Sequence, residues 1–123
     1  MEIILKGRIP SKKNSKYLIY RGGRPYFVPS PAYKQWHEEQ SWMLKKYTQK
    51  HPISKCDITI IMYAPDNRKS DLSNKVESIM DLLVDMKIIE DDNWFVVPNL
   101  VLKFAGVDKE NPRAIIKIEA PSV

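Results

Sequence analysis

The stretch "RKSDLSNKVESIMDLLVDMKIIEDDNW", residues 68–94, decides how the rest of the chain is organised. Val76, Ile79, Met80 and Leu83 recur at the three- and four-residue steps of one helical face. That spacing predicts an amphipathic helix over roughly Ser73–Met86, packed by its apolar side on a sheet. Asn74 followed by Glu77 predicts a capping box at its start. At about 100° per residue, Glu77, Asp81 and Asp85 fall within about 80° of one another on a second face, with Asn74 and Ser78 beside them. Asp71 precedes the helix, and Glu90, Asp91 and Asp92 follow it. From Asp66 to Asp92 the chain holds eight of its fifteen carboxylates against four bases, a balance of −4 in a protein of net charge +5.

The opposite charge lies upstream. Residues 1–55 carry twelve Lys and Arg against three acids, a balance of +9. A basic half joined to an acidic knot suits a protein that holds a polyanion while binding cations at one spot. Solvated surfaces of opposite sign would give the same count. At 123 residues and 43% hydrophobic composition, a single domain with a real core is expected over residues 1–123. The opening "MEIILKG" fits neither a signal peptide nor a membrane span, so a cytoplasmic location without a membrane partner is expected. Cys56 is the only cysteine, which excludes an intramolecular disulfide, a cysteine zinc site and a redox pair. His37 and His51 are too few and too separated to suggest a His-rich metal site.

Outward from the central helix, the pattern is mixed. "EIILKGRI" reads as a first strand and "YLIYRGGRPYFV" as a hairpin around Gly22-Gly23. Ser30 before Pro31 is a plausible N-cap for a long first helix carrying Tyr33, Trp36, Met43, Leu44 and Tyr47, closed by Pro52. "CDITIIMYA" is apolar enough for a central strand, "WFVVPNLVLKFAG" reads as a strand or strand pair broken near Pro98, and "RAIIKIEA" as a last strand. The order implies a two-layer α+β domain, two main helices against a small mixed β-sheet.

Clustered carboxylates suit Mg²⁺, which takes oxygen ligands and keeps water and substrate phosphate in the rest of its shell. An acidic stripe is also what an ordinary solvent face looks like, and "EDDN" could equally be a turn. Asp71 and Asp91 flank a helix about 20 Å long, so they meet only if residues 87–92 run straight back or a second subunit supplies one of them. On the basic side, Lys12, Lys13, Asn14, Lys16, Arg21 and Arg24 line the hairpin and its approach, a set suited to phosphate contact. The interleaved Tyr17, Tyr20 and Tyr26 are read as core, and Trp36, Trp42 and Trp94 as core or dimer packing.

"DLSNKVESIMDLLVDMKIIEDDNW" resembles the central motif of the RusA-type Holliday junction resolvases: Asp-Leu-Asp-Asn, a lysine, a Leu-rich helix containing Asp, then an Asp-Asp pair. "GRIPSKKNSKY" is similar to that family's opening loop, and "SPAYKQW" to the start of its first long helix. The resemblance runs through most of the chain. It implies a small homodimeric endonuclease, often prophage-encoded, using Mg²⁺ (Mn²⁺ as a substitute) and no small-molecule cofactor to nick four-way DNA junctions symmetrically. Asp71 matches the first catalytic aspartate, Asp92 the second of the pair and the other metal ligand, Asp91 its neighbour and Asp81 the aspartate within the helix. Two positions depart: the second aspartate of the first motif is Ser73, and the basic residue four further on is Glu77. The exchange keeps the acid count and leaves the site one unit more negative. Glu77 is therefore expected to replace the lost metal ligand, with Arg68, Lys69 and Lys75 as candidates for the missing cation. The alternative is a noncatalytic junction binder whose metal site has decayed.

Overall fold

The computed structural model describes residues 1–11 and 16–122, with Lys16, Tyr17 and Pro29 described in their backbone alone. Among the described residues six strands and two long helices follow in the order β1 (Glu2–Lys6), β2 (Lys16–Arg21), β3 (Arg24–Pro29), α1 (Pro31–Leu44), β4 (Asp57–Ala64), α2 (Leu72–Asp85), β5 (Asn99–Val107), β6 (Arg113–Glu119). A short 3₁₀ turn, Lys45–Tyr47, extends α1. The α+β class, mixed sheet and two helices expected from the sequence are all present.

The main sheet runs β1-β6-β4-β5. β6 is antiparallel to β1 and β4, whereas β4 and β5 are parallel. Parallel neighbours cannot be joined by a tight turn, and α2 is the crossover between them. Strict alternation puts Ile3 and Leu5 of β1, Ile58, Ile60 and Met62 of β4, and Ala114, Ile116 and Ile118 of β6 on one buried face. Against it α2 buries Val76, Ile79, Met80, Leu82 and Leu83, and α1 adds Tyr33, Trp36 and Leu44. Complete removal of an Ile or Leu side chain from water stabilises by about 1.5–3 kcal/mol, so the apolar stripe of α2 fixes that helix to the sheet.

Local chemistry explains the ends of the elements. Ser30 Oγ accepts from the Tyr33 amide at 3.1 Å, with Pro31 opening α1 as anticipated. Asp71, still extended at φ −75° and ψ 124°, is the N-cap position of α2. The expected Asn74–Glu77 capping box is displaced, because the helix starts one residue earlier than predicted and the Asn74 side-chain Nδ2 donates to Asp71 Oδ2 at 3.3 Å. At the other end Lys87 takes φ +57°, its amide bonding Val84 O (3.0 Å) while the Ile88 amide bonds Leu83 O (3.0 Å). These two bonds form a Schellman cap with lysine where glycine is usual.

Residues 94–98 do not form a strand. Asn93 Oδ1 accepts from the amides of Phe95 (3.0 Å) and Val96 (3.1 Å), an Asx turn that postpones β5 to Asn99. β2 and β3 form a separate two-stranded ribbon turning at Gly22 (φ +59°) and Gly23 (φ +79°), values a type I′ turn requires. Tyr20 and Tyr26 are exposed on it, which corrects their assignment to the core, and Trp42 and Trp94 are exposed as well while Trp36 is buried. The Lys12, Lys13 and Asn14 positions lie outside the described residues.

Candidate active site

The packing of α1 on α2 aligns two pairs of residues spaced one helical turn apart: Tyr33 and His37 on the first helix, Asp81 and Asp85 on the second. The Tyr33 hydroxyl donates to Asp81 Oδ2 at 2.7 Å. His37 Nε2 lies 2.9 Å from Asp85 Oδ2 and 3.9 Å from Asp81 Oδ2, with Ser41 Oγ 3.4 Å from its Nδ1. One ligand atom from each of His37, Asp81 and Asp85 falls within 4.8 Å of the other two. A nitrogen and two carboxylates at this separation suit a divalent cation, and a tyrosine bonded to one carboxylate is the kind of outer contact that orients a ligand. Burial first, then the hydrogen bond to Asp81 and the charges of Asp81 and Asp85, push the Tyr33 phenol well above its usual range, so it stays a donor.

Beyond α2 the chain turns back over Ile88 and Ile89, both buried, and bridges Ile53. This delivers Asp91 and Asp92 to the same end of the molecule. Asp91 Oδ1 accepts from the Asp92 amide at 2.7 Å and Asp91 Oδ2 from Asn93 Nδ2 at 3.1 Å. These bonds, the Asp92 amide foremost, hold the Asp91 carboxyl below its ordinary range. Asp92 is raised instead: hydration lost to the surrounding chain comes first, then the hydrogen bond and charge of Asp91, and Asp81 adds to it. Asp92 is thus within electrostatic reach of the Asp81–Asp85–His37 group.

Asp71 and Glu77 stand elsewhere. Both are exposed, Asp71 at the α2 N-terminus beside the Ala64 end of β4, Asp92 toward the Asp57 end, where the Cys56 amide bonds Val96 O at 2.8 Å. Ten helical residues separate Asp71 from Asp81, about 15 Å along the axis. Among the described residues of one chain, Asp71, Glu77 and Asp92 do not converge into a metal-sized group.

The cations divide similarly. Arg21 and Arg24 pair across the tip of the β2–β3 ribbon, both exposed, and Lys16 begins β2. Arg68, Lys69 and Lys75 line a cavity next to Asp71. Arg68 is held by Asp66, through its Nε at 3.1 Å and Nη2 at 3.0 Å, and Asp66 also accepts from Arg8. Those bonds, from Arg68 first, hold the Asp66 carboxyl far below the usual carboxylate range. Lys75 is half-buried, its Nζ donating to Ile9 O at 2.7 Å. Next to it the Ser78 hydroxyl donates to Pro10 O at 2.6 Å, so the turn of α2 after Asp71 is pinned to the segment leaving β1.

Tyr33 and His37 belong to a second candidate metal group that sequence reasoning passed over. Their i, i+4 spacing was visible, but only the packing of two helices 48 residues apart in sequence turns it toward Asp81 and Asp85.

The chain belongs to the RusA family of endodeoxyribonucleases: the family model described as Endodeoxyribonuclease RusA matches residues 7–119. It is similar to the Crossover junction endodeoxyribonuclease RusA of Aquifex aeolicus (strain VF5), 29% identical over 114 residues, which cover 90% of this chain and 85% of that protein. The match takes in β1's exit, both helices, the acidic loop and three of the four strands of the main sheet, β4, β5 and β6. No helix among the described residues is long and apolar enough to cross a membrane.

Proposed function

We propose that this chain is a metal-dependent, structure-selective endonuclease that resolves four-way DNA junctions by paired symmetric nicks, acting as a homodimer in the cytoplasm of a bacterial or phage-infected cell. The family match over residues 7–119 carries this reading, because it spans every candidate carboxylate. Asp71 and Asp92 are assigned to the metal, with Asp91 holding the loop of Asp92 through its amide and Glu77 standing one turn beyond Ser73. An all-oxygen donor set of this kind fits Mg²⁺, with Mn²⁺ as a substitute. A bound Mg²⁺ would polarise the scissile phosphate and lower the pKa of an attacking water.

Because Asp71 and Asp92 lie at opposite ends of α2, their joint action requires a second protomer. Two features favour one. Trp94 and Phe95 are 79% and 77% exposed, and just beyond them β5 is an edge strand with Leu100 and Val101 exposed. An uncovered apolar edge of that kind invites pairing, and a two-fold copy is its simplest cover. A two-fold dimer also places two cutting sites in the symmetry of a four-way junction. The exposed Arg21 and Arg24 at the ribbon tip, with Lys16 and with Lys12, Lys13 and Asn14 before it in sequence, are assigned the phosphate contacts.

A noncatalytic junction binder is favoured by one observation, the separation of Asp71, Glu77 and Asp92 within a chain. Cleavage of a synthetic four-way junction by wild type and Asp71→Asn, with Mg²⁺ or with EDTA, separates the two. Symmetric nicks that require both Mg²⁺ and Asp71 establish the nuclease. Tight binding without nicks across Mg²⁺ and Mn²⁺ concentrations establishes the binder.

A further inference from the structure

Beside Asp71 the fold leaves a half-open cavity of about 520 Å³, within the range of roughly 300–1,000 Å³ that holds one small-molecule-sized group. The C-terminal ends of β4 and β5 and the first turn of α2 supply apolar wall through Met62, Leu72 and Phe104. Phe104 pairs in register with Met62 yet is 57% exposed, an aromatic ring the fold leaves uncovered. Ser70 and Leu72, the neighbours of Asp71 on either side, both belong to the lining.

The charged part of the lining is mainly cationic. Arg8, Arg68, Lys69, Lys75 and Arg113 face a single lining carboxylate, Asp66, which Arg8 and Arg68 already share. Arg113 is held in place by Asp108 Oδ2 and Asn111 O, each at 2.9 Å, with its guanidinium 3.8 Å from the Tyr63 ring centroid. Lys75 has a backbone carbonyl for a partner and, among the described residues, no carboxylate in ion-pair range. Burial first, then the charges of Arg8 and Arg68, lower its pKa. An ammonium that has given up water beside two guanidiniums is stabilised by an incoming anion. An apolar wall with an exposed aromatic, bordered by anion-seeking groups, matches the two halves of a nucleotide: a base with a π-face and a phosphate.

We propose that this cavity receives one unstacked nucleotide of the branched strand, adjacent to the phosphate cut at Asp71, with its phosphate on Lys75 and Arg8 and its base against Phe104 and Leu72. This rests on the reading of the chain as a junction nuclease and adds to it a source of structure selectivity. A paired, stacked base must be unstacked before it can enter, and that cost is least where pairing is already interrupted, at the branch point. Continuous duplex therefore makes the backbone contacts but not this one.

The test uses four-way junctions carrying 2-aminopurine at each branch-point position in turn, bound in EDTA so that nothing is cut. Wild type and Phe104→Tyr are expected to brighten one position on binding, whereas Phe104→Ala abolishes the rise and weakens junction binding about tenfold, with affinity for linear duplex changed by less than about twofold. Rescue by tyrosine separates the ring's role from a general effect on folding. A rise that persists in Phe104→Ala with unchanged junction affinity overturns the proposal. So does binding of free 2-aminopurine deoxyriboside monophosphate as tight as that of the junction, which would make the cavity a site for free nucleotide. If wild type holds junction no better than duplex, the junction-selective reading itself falls, and this one with it.

Discussion

Asp71 and Asp92 can share a metal only across two protomers, and a heterodimer makes that claim testable. Two oxygen ligands of one Mg²⁺ stand no more than about 4 Å apart, since each lies about 2.1 Å from the ion. Within one chain Asp92 keeps company with Asp81, and Asp81 is about 15 Å along α2 from Asp71. No side-chain rotation closes that distance. Consider a heterodimer of Asp71→Asn and Asp92→Asn chains, isolated by two different affinity tags. If each site takes Asp71 from one chain and Asp92 from the other, one site carries both substitutions and its mate carries neither. The heterodimer then nicks one strand per junction, at about half the wild-type yield of nicks, while both parent homodimers are inactive. Denaturing gels of a junction labelled on each of its four strands count the nicks. A heterodimer that binds the junction as tightly as wild type yet makes no nick would falsify the shared site.

Four further outcomes are expected. Asp92 is raised above its ordinary value, so its contribution to stability is full at acid pH and is lost as pH rises from the usual carboxylate range through the raised value; in EDTA, thermal unfolding should show Asp92→Asn more stable than wild type at neutral pH, with the difference vanishing in acid. Lys87 holds a left-handed conformation at φ +57°, which costs a non-glycine residue about 1 kcal/mol, so Lys87→Gly should stabilise by about that amount in urea titrations and leave cutting unchanged. Replacing both Arg21 and Arg24 with Gln should flatten the salt dependence of junction binding by about two phosphate contacts per protomer, about four per dimer, measured as the slope of log K against log salt; an unchanged slope would remove the ribbon from the interface. His37→Ala should leave Mg²⁺-supported cutting within about threefold of wild type, whereas a loss beyond tenfold would move the metal to the His37–Asp81–Asp85 group.

What was legible in the sequence was whatever repeats over a short span. The stripe of Val76, Ile79, Met80 and Leu83 is buried on α2 as its period requires, and Ser30-Pro31 opens α1 through a bond three residues long. Gly22-Gly23 makes the turn that only positive φ allows. Motif spacing in residues 71–92, likewise local, was enough to suggest the family that the match over residues 7–119 establishes. Two errors were local and small: Asp71 took the cap position from Asn74, and the Asn93 side chain claimed two amides that a strand would have used.

Tertiary structure decided which acids share surroundings. On a helical wheel Glu77, Asp81 and Asp85 form one stripe, but α1 covers only part of it, so Asp81 and Asp85 meet Tyr33 and His37 while Glu77 stays in water. The cavity beside Asp71 draws on β1's exit, the ends of β4 and β5, the start of β6 and the first turn of α2. Periodicity shows which residues share a face of their own element. What that face meets depends on contacts between segments dozens of residues apart, which are set by how all the buried faces pack together at once.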